Sequence, residues 1–187
     1  MKKISLIAAL LLAVLLLQNC KKDVFTASTT STEPMIALIN DTTWVSDTIK
    51  AAVTYNSATN TKVFTCTGIS NNKQINLYAT QLYAGNTPGF ALSTYNVNAN
   101  SNVAMSYEYP QLNLSGQLVL MPQGTVAPGS GTIVVTAIDS VKKQITGTFS
   151  FNSIKNNYDT NGNIVSVTVA SITSGGFNNV PYTFTSN

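Results

Sequence analysis

Residues 142–154 read KKQITGTFSFNSI, and within them Ile145, Gly147, Phe149 and Phe151 alternate with Thr146, Thr148, Ser150 and Asn152. A β-strand sends successive side chains to opposite faces. A period of two with apolar residues on one side only therefore marks a strand that buries one face and wets the other. The preceding stretch GTIVVTAID, residues 131–139, has the same β-branched character. Asp139 to Lys143 is a connection of hairpin length, so the two stretches are expected to pair as antiparallel neighbours.

Working outward, the chain from Met35 onward keeps to short runs of Thr, Val, Ile, Tyr and Phe broken by Asn, Gly, Ser and Pro. These are strand and turn residues. Further strands are predicted over residues 48–55, 62–69, 73–81, 103–109, 111–121, 163–172 and 180–185. Asn71-Asn72 and Asn161-Gly162 are dipeptides that tolerate positive φ and suit tight turns. No stretch after the first twenty residues carries a stripe of period 3.6. The prediction is an all-β domain, a single antiparallel β-barrel or two-sheet β-sandwich of about nine or ten strands. Two stretches, IVVTAI (133–138) and IVSVTVASI (164–172), are apolar on both faces, which predicts a closed or doubly covered sheet around them.

The N-terminal residues belong to a different regime. Lys2 and Lys3 precede an apolar run, Ile4 to Leu17, broken only by Ser5. That run is shorter than the roughly 20 residues a membrane-crossing helix needs, and reads as an export signal. The apolar run ends in Leu17-Gln18-Asn19-Cys20, which resembles the cleavage motif of bacterial lipoprotein signal peptides. The resemblance implies removal of residues 1–19 and lipidation of Cys20, which becomes the mature N-terminus. The following KKDVFTASTTSTEP (21–34) is rich in Ser and Thr and reads as a solvated tether, so residues 20–34 are expected to link the anchor to an all-β domain over 35–187. Two or three acyl chains hold a protein firmly at a bilayer where one chain is marginal. Cys20-Lys21-Lys22-Asp23 resembles the signal that sends Bacteroidota lipoproteins to the cell surface. It implies an outer-membrane lipid anchor, with surface display favoured over the periplasmic face.

Three stretches of the body, MIALINDTTWVSD (35–47), GTIVVTAIDSVKKQITGTFSF (131–151) and SGGFNNVPYTF (174–184), resemble a group of Bacteroidota lipoproteins of unknown function. Their small all-β domains sit behind a lipid anchor. In that resemblance Trp44 is a core anchor, Gly147 and Phe149 belong to a packed hairpin, and Phe177 and Pro181 stand near a final edge strand. No catalytic residue comes with it.

Composition narrows the chemistry. Ten lysines and no arginine are present, and two of the lysines lie in residues 1–19, so the mature side chains sum to about +1 against seven acids. Arginine is the residue that grips phosphate and base edges with a two-pronged fork, so nucleic-acid binding is not expected. The absence of histidine removes the commonest general base and metal ligand. Cys66, in VFTCTGI, shares a strand face with Phe64 and Gly68 and is expected to be buried and inert. No cofactor or metal is expected.

The remaining candidates are sparse. Asp159-Thr160-Asn161-Gly162-Asn163 begins like a calcium loop but places Ile164 and Ala170 where that loop needs Gly and Glu, so it reads as a turn. Asp41, Asp47, Glu108, Asp139 and Asp159 are the acids of the body, and Glu108, between Tyr107 and Tyr109, is the least routine. Tyr78, Tyr107 and Tyr109, with Tyr83 and Tyr95, are candidates for a platform that stacks on a glycan or a small apolar ligand. Asp41-Thr42-Thr43, Asp47-Thr48-Ile49 and Asp139-Ser140-Val141 are similar to the pattern Bacteroidota glycosylate on exported proteins, which makes Thr42, Thr48 and Ser140 candidate O-glycosylation sites. The expectation is a lipid-anchored, non-enzymatic envelope domain that binds a ligand or serves an outer-membrane complex. The alternatives are a carbohydrate-active enzyme working through carboxylates such as Glu108 and a structural surface subunit.

Overall fold

A computed structural model describes residues 35–100 and 102–187. The predicted signal peptide, Cys20 and the tether to residue 34 lie outside the described residues. The rest is all-β: β1 (Met35–Ile39), β2 (Thr42–Val45), β3 (Thr48–Asn56), β4 (Thr61–Ser70), β5 (Lys73–Gln81), β6 (Thr94–Asn96), β7 (Val103–Leu112), β8 (Leu118–Pro122), β9 (Gly131–Asp139), β10 (Gln144–Tyr158) and β11 (Ile164–Ser186). The hydrogen-bonded path β6-β9-β10-β11-β3-β4-β5-β7-β8 ends at β6 and β8, so the sheet is not closed into a barrel, and it folds over itself like a sandwich. β1 and β2 continue the first layer from the free side of β11.

The 142–154 pattern does what its period demands. Ile145, Phe149 and Phe151 are buried while Thr148, Ser150 and Asn152 are exposed. β9 and β10 pair with Ile145 opposite Ile138 and Phe149 opposite Ile133. Across the core Phe64 of β4 meets Phe177 of β11 with ring centroids 5.7 Å apart, and Phe90 packs on the other side of Phe64 at the same distance. Such side chains contribute about 1.5–3 kcal/mol each on burial, and the aromatic pairings add to that. Gly147 lies under the Phe177 ring and against the Val134 carbonyl. A side chain there has no room, which is why glycine stands inside an otherwise ideal strand. Cys66 is fully buried, and burial pushes its thiol up to about 12.

Several expectations need correction. The final strand is neither short nor at an edge. Residues predicted as two strands, 163–172 and 180–185, form the single β11, which lies between β10 and β1 above and β3 below. Its Gly175-Gly176 and Asn178-Asn179 look like breakers, but the first pair stays in register with β10 between two β-bulges and the second lies in one of them. The register with β10 slips at three places, and at the two nearest the core Ser174 and Asn179 take φ of 50° and 49°. Each bulge adds twist, and that bending lets one strand serve both layers. The lower part of β11 pairs with β3 in parallel, Tyr182 opposite Ala51, so the sheet is not purely antiparallel. The predicted strand 111–121 is really the end of β7, a turn and β8. Asn113 Oδ1 accepts from the Ser115 and Gln117 amides, and Gly116 sits at φ 75°. The double cover predicted for IVSVTVASI is absent: Ile164, Val165, Val167 and Val169 are exposed on a ribbon that outruns the sandwich.

The register also fixes which turns lie together. β1, β4, β7 and β10 all run the same way, so the turns that follow them, at 40–41, 71–72, 113–117 and 159–163, lie toward one end. The loop of residues 82–90 lies at the other end. The buried Lys62 ammonium donates to Thr87 Oγ1 at 2.8 Å and to the Gly89 carbonyl at 2.6 Å, and Tyr182 Oη donates to the Pro88 carbonyl at 2.7 Å. Burial lowers the Lys62 pKa below the usual lysine range.

Candidate functional site

The candidate tyrosines do not converge. Tyr107 lies on the core face of β7, and its ring stacks on Tyr109 at 6.2 Å. Burial, and then the neighbouring Tyr109 phenol, push the Tyr107 hydroxyl above the ordinary tyrosine range. Tyr78 points the other way, since Leu77 and Ala79 on either side of it fill the core, and its hydroxyl accepts from Thr80 Oγ1 at 3.2 Å. Tyr95 packs on Phe90 and donates to the Ala91 carbonyl, with burial pushing its hydroxyl up to about 12. Tyr83 stands alone, 94% exposed. Tyr107 and Tyr109 are thus brought together, and Tyr78 is separated from them by the thickness of the sheet.

Glu108 lies on the solvent face in a ladder across three strands. Its Oε1 accepts from Asn76 Nδ2 at 2.9 Å and from Ser106 Oγ at 3.0 Å, while Asn76 Oδ1 accepts from Gln74 Nε2 and Thr67 Oγ1, each at 2.9 Å. Cross-strand polar pairs of this kind hold register. From Glu108 through Gln74 and Ile69 to Thr48 the register crosses three inter-strand steps. At about 4.8 Å each this puts the backbone beside Asp47 roughly 14 Å away. Paired glycosidase carboxyl groups stand about 5–9.5 Å apart. Glu108 and Asp47 each hold hydrogen bonds of their own, to Asn76 and Ser106 and to Ser70.

A different place combines space with unused polar groups. Asn40-Asp41 and Asn71-Asn72 all take left-handed φ, between 48° and 63°, and close the β1–β2 and β4–β5 hairpins as tight turns. Beside these turns lies a cavity of about 410 Å³, whose lining includes Thr42, Trp44, Asp47, Ser70, Asn71 and Lys73. The crossing from β2 to β3 brings Asp47 here. Its amide donates to the Ile69 carbonyl at 2.8 Å and its Oδ2 accepts from Ser70 Oγ at 2.7 Å. Trp44 is 6% exposed, and its Nε1 has no hydrogen-bond partner among the described residues. A buried donor left without an acceptor costs about 1–3 kcal/mol, and Trp44 also borders the cavity with part of its side chain while Nε1 itself is closed off from solvent.

The lining residues bring a carboxylate, an ammonium, an amide, hydroxyls and an aromatic side chain to one ligand-sized space. Asp47 is the one acid among its lining residues. Among the described residues no three His, Cys, Asp or Glu side chains gather to hold a metal. Sequence reasoning singled out Asp47 as an acid and Trp44 as a core residue but missed Ser70, Asn71 and Lys73. The available signal was the pair of asparagine-rich turns, which the register brings to one end.

Of the candidate glycosylation sites, Thr42, Thr48 and Ser140 are all exposed, Thr42 at the rim of the cavity. Asp139 Oδ1 accepts from the Val141 and Lys142 amides, which organises the turn around Ser140. Cys20 lies outside the described residues. No curated protein and no solved structure matches the chain. Residues 32–181, most of the chain, match the DUF6252 domain, and the chain belongs to this family, a domain of unknown function.

Proposed function

We propose that this domain is a non-enzymatic binding module held at the bacterial outer membrane by lipid on Cys20, and that it takes a sugar or similarly polyhydroxylated molecule into the Trp44–Asp47 cavity. The observation that carries the reading is a ligand-sized cavity beside Trp44 that presents Asp47, Asn71 and Lys73 together. Alternating donors and acceptors suit hydroxyl groups, which both give and receive hydrogen bonds. The space, about 410 Å³, is at the small end of ligand sites.

Trp44 is the only tryptophan in the chain, so its fluorescence reports on this cavity directly. Titrating the full chain in detergent with mono- and oligosaccharides is expected to give a saturable change in emission. Asp47→Asn, which still offers Ser70 an acceptor, is expected to weaken binding by about 10- to 100-fold through loss of a charge-assisted hydrogen bond. No saturable change with any sugar, or equal affinity in Asp47→Asn, overturns the reading. The anchor is tested separately: Cys20→Ala should release the protein from membranes, and protease shaving of intact cells distinguishes surface display from a periplasm-facing position.

A further inference from the structure

β10 and β11 outrun their neighbours. β9 stops pairing with β10 at Phe151, and β1 stops pairing with β11 at Ile172, where Asn40 caps the edge by accepting from the Ser171 amide at 2.9 Å. Beyond these points Ile154 still exchanges backbone hydrogen bonds with Thr125 and Lys155 Nζ reaches Gln111 Oε1 at 3.3 Å, and β10 and β11 continue side by side with Ile154 opposite Val169, Asn156 opposite Val167 and Tyr158 opposite Ile164. Cross-strand partners share a face, so Ile154, Asn156 and Tyr158 lie on one side with the valines of β11. The other side carries Asn157, Ser166 and Thr168, tied by hydrogen bonds of 3.0 and 3.1 Å from Asn157 Nδ2.

The distribution is inverted relative to an ordinary solvated hairpin. The side continuous with the core, through Ser153 and Ala170, turns polar as it leaves the sandwich, and the outward side is apolar. Val165, Val167 and Val169 are 63, 54 and 48% exposed, and Tyr158 is 60% exposed. The largest apolar patch on a monomer is typically about 300–600 Å² and often functional, and this face, on the order of 500–600 Å² per copy by ordinary side-chain areas, stands at the top of that range.

We infer that the outward face of this ribbon is a dimer interface, and that its occupant is the same face of a second copy. Two such faces packed together bury on the order of 1,000–1,200 Å² in total, at the threshold for a specific interface. A two-fold axis sets any charge near it against its own copy, and this face carries none. Asn156, beside the central Val167, supplies an amide that is both donor and acceptor and therefore complements itself. Packing face to face brings Val167 of each copy near the axis and leaves Ser166 and Thr168 outside the contact.

Disulfide cross-linking of the full chain in intact cells tests this, since Cys66 is buried. Val167→Cys is expected to give a covalent dimer under mild oxidation, and Thr168→Cys to give none. Adding Val165→Lys to Val167→Cys is expected to cut the dimer yield at least tenfold, while Cys66 stays unreactive to thiol reagents as a check on the fold. Absence of the dimer, or equal yields from Val167→Cys and Thr168→Cys, overturns the inference. The second outcome would mean chance collision or pairing along the strand edge.

Discussion

Gly147→Ala tests the packing that makes this sheet fold over itself. Gly147 is buried, and a Cβ there would overlap both the Val134 carbonyl oxygen and the Phe177 ring. Neither neighbour is free to move. Val134 is opposite Thr148 in the β9–β10 ladder, and Phe177 is 1% exposed with its ring against Phe64. Overpacking of this kind costs about 1–3 kcal/mol, while replacing glycine within a strand returns about 0.5–1 kcal/mol of backbone entropy. The net expectation is a loss of about 1–2 kcal/mol, or a Tm lower by roughly 2–8 °C for a domain of this size. Gly85→Ala is the matched control. Nothing lies within 4 Å of its Cβ position, so the same substitution is expected to stabilise by about 0.4–1 kcal/mol. Urea unfolding of the Cys20→Ala protein, with the slope checked for constancy, reads both. Phe177→Leu in the Gly147→Ala background should cost less than the sum of the single changes, because the smaller side chain relieves part of the overlap. If Gly147→Ala has the sign of Gly85→Ala, or moves stability by less than about 0.5 kcal/mol, the ring-over-glycine account of the core is wrong.

Burial holds the Cys66 thiol at about 12, above its ordinary 9.0. The folded protein therefore keeps a proton that the unfolded chain releases, and this contribution is complete below about pH 9 and is lost as pH rises toward 12, at up to about 1.4 kcal/mol per unit. Cys66→Ala should flatten the fall of the urea midpoint between pH 9 and 10; an unchanged slope refutes this. Lys62, a base with a lowered pKa, works in the opposite direction over the alkaline range and is common to both proteins. Lys62→Met deprives Thr87 Oγ1 and the Gly89 carbonyl of their donor. It should loosen the 82–90 loop, seen as at least a tenfold gain in proteolysis there with β3–β5 still protected in hydrogen exchange. Asn72→Ala puts a Cβ-bearing residue without a local polar side chain at φ 59° and is expected to cost about 1–2 kcal/mol. Asn72→Gly should cost nothing, and equal loss in both variants argues against a left-handed turn.

The hairpin of β9 and β10 was legible because each residue obeys one period and burial follows it. β11 was not, because the dipeptides Gly175-Gly176 and Asn178-Asn179 are equally good at ending a strand and at bulging one, and only the partner register separates the two outcomes. The same ambiguity hid the 113–117 turn, where Leu112, Leu114 and Leu118 keep an alternation through residues that are in fact exposed. Tyr78 and Tyr107 are an odd number of residues apart in sequence on different strands, so no periodicity argument could place them on one face before the β5–β7 register was known. The cavity was invisible for a related reason. Trp44 lies on β2, Asp47 in the β2–β3 crossing and Lys73 at the start of β5, and pairing gathers them.

The distribution of features along the sandwich connects the two proposals. One end is tied by a loop pinned to Lys62 and Tyr182. Toward the other end lie four turns, the Trp44–Asp47 cavity and the apolar ribbon. β1 begins opposite Phe177 of β11, and Val165 lies twelve residues back along the same strand. At about 3.3 Å per residue the ribbon reaches up to roughly 40 Å from the point where the chain enters the fold. A face at the threshold area is a weak association partner in free solution. Lipidation on Cys20 as proposed would confine copies to one membrane, and confinement raises effective concentration without any new contact. Dimerisation should then depend on the anchor. With Val167→Cys as reporter, the Cys20→Ala protein is expected to lose most of its cross-linked dimer at equal expression, and a yield independent of Cys20 would separate the interface from the anchor.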